Sequence, residues 1–329
     1  MKLLVTGGAG YIGSVVAAKL VAAGHQVTVL DDLSTGFADA VPPTAAFIQG
    51  TLRADAKAAL GDGTDAVLHF AAHSQVGESV TNPAKYWSNN LGGTLALLDA
   101  MRTAGTARVV FSSTAAVYGE PEQVPIPETA PTRPTSPYGA SKLAVDTTLA
   151  EYARLRGLAA VSLRYFNVAG AFRTVDGAWV GERHDPESHL VPNVLRAASA
   201  AGDGGNPGSV SLYGIDYPTP DGTCVRDYIH VGDLADAHLL ALEACQAGLH
   251  RVYNLGSGTG FSVREVIDAC REVTGVDIPV VTGPRRAGDP AVLIASSERI
   301  QADLRWRATA GLRAMVTDAW QFTRAGAAR

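Results

Sequence analysis

Cysteine is scarce in this chain. Its 329 residues include three, Cys224, Cys245 and Cys270, an odd number at wide spacings with no C-x-x-C pair. A disulfide framework and a cysteine-bound zinc are thereby excluded as organising features. The three read as small apolar fillers in a reducing compartment. Charge is sparse too: Asp, Glu, Lys and Arg make up 18% and the formal net charge is −5. Lys and Arg are nowhere clustered, which excludes a nucleic-acid surface built on phosphate neutralisation. No apolar run is long enough to span a bilayer. Met1-Lys2 passes straight into Leu3-Leu4-Val5 without a basic-then-apolar leader, so a cytoplasmic protein is expected. Repeats, heptads and low-complexity segments are also missing. What is present is apolar material, 47% of the residues, enough for one large domain or two unequal lobes.

Up to about Tyr165, short apolar runs alternate with helical segments. Strands are expected at Lys2–Val5, Gln26–Leu30, Ala66–Phe70, Arg108–Ser112 and Ala159–Leu163. Helices are expected at Tyr11–Ala23, closed by Gly24 in the left-handed region, and at Ala84–Arg102 and Pro137–Arg156. Strands separated by helices imply parallel pairing and right-handed crossovers. The expected fold is α/β: a doubly wound parallel sheet of Rossmann type over residues 1–165, with ligands at the carboxyl ends of its strands. Residues 166–329 read as a smaller α/β lobe, with some segments returning to the first. In it, Val210–Tyr213, Val225–Ile229 and Val252–Leu255 suggest strands, Leu234–Ala247 and Val263–Thr274 helices, and residues 201–208 a loop.

Two motifs carry chemistry. The first is Thr6-Gly7-Gly8-Ala9-Gly10-Tyr11-Ile12-Gly13, a glycine turn between a strand and a helix. It lets backbone N–H groups approach a pyrophosphate at the positive end of the helix. Asp31 closes the second strand, where a carboxylate accepts hydrogen bonds from adenosine ribose hydroxyls and repels a 2′-phosphate. No Arg follows it, so NAD is expected rather than NADP. The plain alternative is a glycine turn with a solvent-exposed Asp.

The second motif is Tyr138 with Lys142, one helical turn apart on one face. Free tyrosine has a pKa of about 10 and is a poor base near neutrality; a neighbouring ammonium and a positive nicotinamide ring favour its phenolate. Alone, the pair would be an ordinary helix surface. The cofactor motif and the hydroxyls of Ser113 and Thr114 at a strand end make it a catalytic candidate, with Thr114 placed to orient a substrate hydroxyl. Asn167, just past the fifth strand, faces the same crevice. Arg226, Arg285 and Arg286 are candidate diphosphate ligands. His69, His73 and His230 lack metal-ligand spacing, and no metal is expected.

On these residues the chain resembles the UDP-galactose 4-epimerases, in the extended branch of the short-chain dehydrogenase/reductases. The resemblance spans nearly the whole length. It rests on Gly7 to Ser14, His69-Phe70-Ala71-Ala72, Val76-Gly77-Glu78-Ser79, Ser136 to Lys142, Arg164-Tyr165-Phe166-Asn167, Asp221-Gly222-Thr223, Val225 to Val231 and Tyr253-Asn254-Leu255-Gly256. It implies an isomerase that interconverts UDP-galactose and UDP-glucose through a 4-keto sugar with tightly bound NAD. Tyr138 would be the base, Lys142 its modulator and a ligand of the nicotinamide ribose, and Thr114 the hydroxyl partner. Gly7, Gly10, Tyr11, Ile12, Asp31, Phe70 and Asn90 would contact the cofactor. Asn167, His189, Leu190, Tyr213, Arg226, Arg286 and Asp289 would hold the UDP moiety. A homodimer is implied, paired through Ala84–Arg102 and Pro137–Arg156. Thr51, Ser74 and Leu293 depart from common family residues near the adenine, the nicotinamide and the sugar 2-substituent, which leaves sugar breadth open.

Other readings are a 4-epimerase of UDP-N-acetylhexosamines or UDP-pentoses, a nucleotide-sugar 4,6-dehydratase, and an NAD-binding scaffold without activity. Dehydration needs acid groups just after Thr114, where Ala115 and Ala116 stand. A scaffold needs none of Tyr138, Lys142 and Thr114.

Overall fold

The computed structural model describes every residue except 203–206, 287–288 and 328–329. Its centre is a parallel sheet of β1 (Lys2–Thr6), β2 (Gln26–Asp31), β3 (Ala46–Gln49), β4 (Ala66–His69), β5 (Arg108–Thr114), β6 (Ala159–Tyr165) and a seventh strand, His250–Leu255. The order across the sheet is β3-β2-β1-β4-β5-β6 and then His250–Leu255. Side chains alternate between its faces, and both faces are covered. Leu3 and Val5 join a core with the Tyr11–Ala22 and Val231–Glu243 helices. Leu4 faces the opposite layer, where Leu52, Leu97, Leu98 and Val145 pack. Burial on both sides explains why these strands read as unbroken apolar runs.

Strand order reverses between β1 and β4, so the loops after these two strands part there and open a crevice. Gly7 follows β1 with φ +71° and abuts the start of the loop after β4; a Cβ on it would lie 2.5 Å from Ala71 N. The turn therefore needs glycine on two counts, conformation and space.

The second half divides its allegiance. Val231–Glu243 and His250–Leu255 pack with the main sheet. A separate core gathers Val191, Val194 and Leu195 with Val266, Ile267, Met315 and Val316, from the helices Leu190–Gly202, Val263–Thr274 and Leu312–Ala327. Beside it Val225–His230 runs parallel to Asn167–Ala169 and to Val292–Leu293. Val210–Tyr213 pairs with Val280–Gly283.

Several expectations need correction. β3 was not anticipated, because it is a short edge strand with mostly exposed side chains and no alternation to read. The Leu52–Leu60 helix was missed although its signal is present: Thr51 Oγ1 accepts a hydrogen bond from Ala54 N at 3.2 Å, an N-cap. The expected helix Ala84–Arg102 is three pieces, Pro83–Tyr86, a wide π-type turn Trp87–Gly92, and Gly93–Ala104. The expected Leu234–Ala247 helix begins at Val231, because His230 Nδ1 caps it by accepting from Gly232 N. Of the loop expected at 201–208, Ala201 and Gly202 finish a helix; 203–206 lie outside the described residues.

Candidate active site

One cavity of about 480 Å³ runs along the carboxyl ends of the strands. It collects Gly7, Gly10, Tyr11, Ile12, Asp31, Phe70, Thr114, Tyr138, Lys142, Asn167, His189, Arg226 and Asp289 from the expected site, together with the departures Thr51, Ser74 and Leu293. Asn90, Leu190, Tyr213 and Arg286 are not among its lining residues.

At one end the chain is built to take a dinucleotide. A Cβ on Gly13 would collide with the Gly7 carbonyl oxygen, so turn and helix can approach closely only with glycine there. The Tyr11–Ala22 helix starts at Gly10 with no side-chain cap and no acid in its first turn, which leaves its positive end for an anion. Asp31 is buried. Its Oδ2 accepts from Ala9 N and its Oδ1 from Leu33 N, both at 2.9 Å. Burial nevertheless raises its carboxyl above the usual range, the two backbone donors offsetting part of the rise. Asp31 thus braces the glycine turn as well as facing the cavity. These cradles and donors fit NAD.

At the cavity centre, the Pro137–Arg156 helix and β5 share the catalytic candidates. Ser136 caps this helix through Gly139 N at 3.1 Å. Burial pushes the Tyr138 phenol up, and the neighbouring Thr114 hydroxyl offsets part of the rise. Lys142 Nζ donates to Ser112 O at 2.8 Å and lies 4.8 Å from the centre of the Phe111 ring. Burial lowers Lys142 to about 7, against the raising influence of Asp146. Desolvation therefore weakens the lysine charge that the sequence reading relied on; the ammonium is only partly populated near neutrality. His69 sits nearby between Thr6 Oγ1 and Thr94 Oγ1 at 2.7 and 2.8 Å. Burial and the Lys142 charge hold it neutral, with a pKa of about 3.

At the far end lie cationic groups suited to a diphosphate. Arg226 donates to Val225 O at 2.8 Å and pairs with Asp289. His189 Nδ1 lies 2.6 Å from Glu182 and 3.2 Å from Glu187. Burial works against its charge, but hydrogen bonds to the two glutamates raise it to about 10, so it is a fixed cation. Glu182 is correspondingly pulled down to about 2 by His184 and His189, against burial.

Five expected contacts lie outside the cavity lining and have partners of their own. Asn90 Oδ1 accepts from His73 N at 2.9 Å, while Nδ2 donates to His73 O and Ser141 Oγ at 3.0 and 3.1 Å. It ties the loop after β4 to the Tyr138 helix. Leu190 packs against the core of the smaller lobe. Tyr213 and Arg286 stack on each other at 4.2 Å, both exposed. Arg285 pairs with Asp216 at 2.7 Å.

Sequence reasoning missed Glu182, His184, Ser112 and Tyr165 in the wall. Tyr165 OH donates to Ser112 Oγ. The alternation of Glu182, His184, Glu187 and His189 was the available signal. Their ligand atoms lie within 4.8 Å of one another, and imidazole-to-carboxylate contacts account for the arrangement.

Comparison with known proteins agrees with this geometry. The model of the NAD dependent epimerase/dehydratase family matches residues 3–256. A UDP-glucose 4-epimerase of Streptomyces lividans is 58% identical over 98% of this chain and 95% of its own length. One from Corynebacterium glutamicum is 54% identical over 99% and 96%. A crystal structure of the Stenotrophomonas maltophila UDP-glucose-4-epimerase, with bound NAD and formylated UDP-arabinopyranose, superposes with a TM-score of 0.92. It is 40% identical, covering 100% of this chain and 99% of that one.

Proposed function

The chain belongs to the NAD dependent epimerase/dehydratase family, and we propose that it is a UDP-glucose 4-epimerase that inverts C4 of UDP-glucose and UDP-galactose. The observation that carries this reading is one cavity holding the Gly7–Gly13 turn at one end, Tyr138, Thr114 and Lys142 at its centre and Arg226 with His189 at the other. Gly7, Gly10, Tyr11, Ile12, Asp31 and Phe70 hold NAD. When bound, NAD supplies the hydride acceptor and a positive ring that favours the Tyr138 phenolate.

Tyr138 takes the proton of the C4 hydroxyl, and Thr114 orients that hydroxyl by hydrogen bonding. Lys142 holds the nicotinamide ribose and contributes positive charge behind Tyr138. Arg226 and His189 anchor the diphosphate, and Asn167 the adjoining part of the ligand. Inversion requires the sugar to turn over while the nucleotide stays bound. Strong charge on the diphosphate with few fixed cations around the hexose permits this. Residues from 166 onward that do not return to the main sheet make up the UDP-sugar lobe.

The test is incubation with UDP-glucose, UDP-galactose, their N-acetyl analogues and a UDP-pentose, without added NAD, with products separated by chromatography. Conversion of UDP-galactose is expected. Conversion of only the N-acetyl or pentose substrates would reassign the sugar, a question that Leu293 in the cavity wall bears on. Tyr138→Phe should lower kcat by about 10²–10⁴-fold while sparing NAD binding; near-normal turnover would end the assignment.

Trp87, Leu95 and Leu155 are exposed apolar side chains on the two segments expected to pair, which supports a homodimer through that face. Light scattering tests it. A reducing cytoplasm suits the three free cysteines.

A further inference from the structure

Three neighbouring residues at the end of β5 each engage one residue of the Pro137–Arg156 helix. The Thr114 hydroxyl acts on the Tyr138 phenol, Ser112 O accepts from Lys142 at 2.8 Å, and Ser113 Oγ donates to Asp146 Oδ2 at 3.1 Å. Tyr138, Lys142 and Asp146 follow one another at single-turn spacing, so they form one column along the helix. Asp146 is 3% exposed and is not among the cavity-lining residues. It touches neither the substrate nor the NAD site.

The surroundings of Asp146 are charged and closed. From β6, Arg164 Nε donates to Asp146 Oδ2 at 2.9 Å, and Arg164 is itself 6% exposed. Arg164 also donates to Tyr118 OH at 3.0 Å, and Tyr118 donates to Asn254 Oδ1 at 2.7 Å. From the seventh strand, His250 feels the Asp146 charge; its Nε2 lies 2.8 Å from Ser162 Oγ. From β4, His69 is held neutral by burial and by the Lys142 charge, and β5 contributes the Ser113 hydroxyl. Along the helix itself are Lys142 and Tyr138, with Tyr165 beyond. The donors to Asp146 converge on Oδ2, while Oδ1 is buried with no hydrogen-bond partner among the described residues. Half the carboxylate is thus left unquenched inside the protein. Packing and ion pairing with Arg164 alone would favour bonds to both oxygens.

We propose that Asp146 is a positioning residue for the epimerisation: it sets the helix register over β5 and its charge keeps Lys142 cationic, so that Tyr138 can ionise. The inference rests on the roles given above to Tyr138 and Lys142. Without the Asp146 charge, Lys142 would be left against Ser112 O and the Phe111 ring in a buried wall, with no acid one turn along its helix. Lys142 is already depressed to about 7 by burial, and Asp146 is what opposes that fall. Neutral Lys142 would leave the Tyr138 phenol without its cation, and the phenol would ionise at higher pH.

The experiment is the pH dependence of kcat and of KM for UDP-galactose in NAD-loaded wild type, Asp146→Asn and Asp146→Glu. In Asp146→Asn the rising limb of kcat should move up by about one pH unit, lowering kcat about tenfold below it, with KM within about twofold. Asp146→Glu should restore most of the limb. A tyrosinate absorbance titration of Asp146→Asn, taken as the difference from Asp146→Asn/Tyr138→Phe, should show the same displacement without turnover. If Asp146→Asn does not retain NAD, Asp146→Asn/Arg164→Gln removes the lone buried cation and carries both readouts. Profiles that superimpose on wild type after scaling, or an unmoved Tyr138 titration, would overturn the proposal. Either result would leave the Tyr138→Phe test of the activity standing.

Discussion

At Gly13 a single methyl group decides whether the cofactor turn can form. A Cβ there would meet the Gly7 carbonyl oxygen, which is backbone and cannot swing aside. Gly13→Ala should therefore force the helix away from the turn, at a cost of about 1–3 kcal/mol. The expected outcome is loss of copurifying NAD, read by absorbance after acid release, with the fold retained by circular dichroism. Full NAD occupancy in that variant would show that the turn has slack. His189 shows the same dependence on neighbours by charge: its cationic state comes from Glu182 and Glu187. Glycines could be read from spacing because steric need is local. The charge of His189 could not, because it depends on which carboxylates the fold delivers.

Among the elements, the segment from Pro83 to Ala104 departs most from expectation. A continuous helix was the reading; the structure inserts a wide turn at Trp87–Gly92. Arg53 donates to Ser88 O at 2.8 Å from a neighbouring helix, satisfying a carbonyl in the altered turn. Asn90, within this turn, is 2% exposed and bridges His73 and Ser141. Asn90→Ala should leave the His73 backbone groups without partners and destabilise the protein by about 1–3 kcal/mol, seen as a lower denaturant midpoint. It should also weaken NAD retention through the loop after β4. An unchanged midpoint would show that water replaces the amide. By contrast, Ser262 and Glu265 form a capping box on the Val263–Thr274 helix, which with Pro137–Arg156 has the bounds expected from sequence. Ser262→Ala should cost about 1 kcal/mol with kcat unchanged.

For the whole molecule, buried histidines set the acid limit. His69 and His238 are held neutral by burial, at about 3 and about 4, whereas unfolded histidines titrate near 6.5. Below that pH the unfolded chain binds protons that the native one refuses. Stability should then fall as pH drops from about 6.5 toward 4, by up to about 1.4 kcal/mol per pH unit for each histidine. His189, raised to about 10, has the opposite sign: its contribution is complete below 6.5 and is lost as pH rises toward 10. Urea midpoints measured from pH 4 to 10 should pass through a maximum near neutrality. His69→Gln should flatten the acid side, and an acid side as steep as in wild type would assign the loss to carboxylates instead.

Much of this protein was determined by its sequence alone. The glycine turn, the alternating strands and helices, the parallel sheet and the Tyr138–Lys142 face follow from steric allowance and from periods of two and 3.6 residues. Such rules act over a few neighbours and need no knowledge of the rest of the chain. Tertiary structure alone decided the seventh strand beside β6, the closeness of Thr114 to Tyr138, the pairing of Arg226 with Asp289, the inward turn of Asn90 and the buried Asp146–Arg164 pair. Each joins residues far apart in sequence, and each gains its charge state or hydrogen bonds from desolvation that arises only when the layers close.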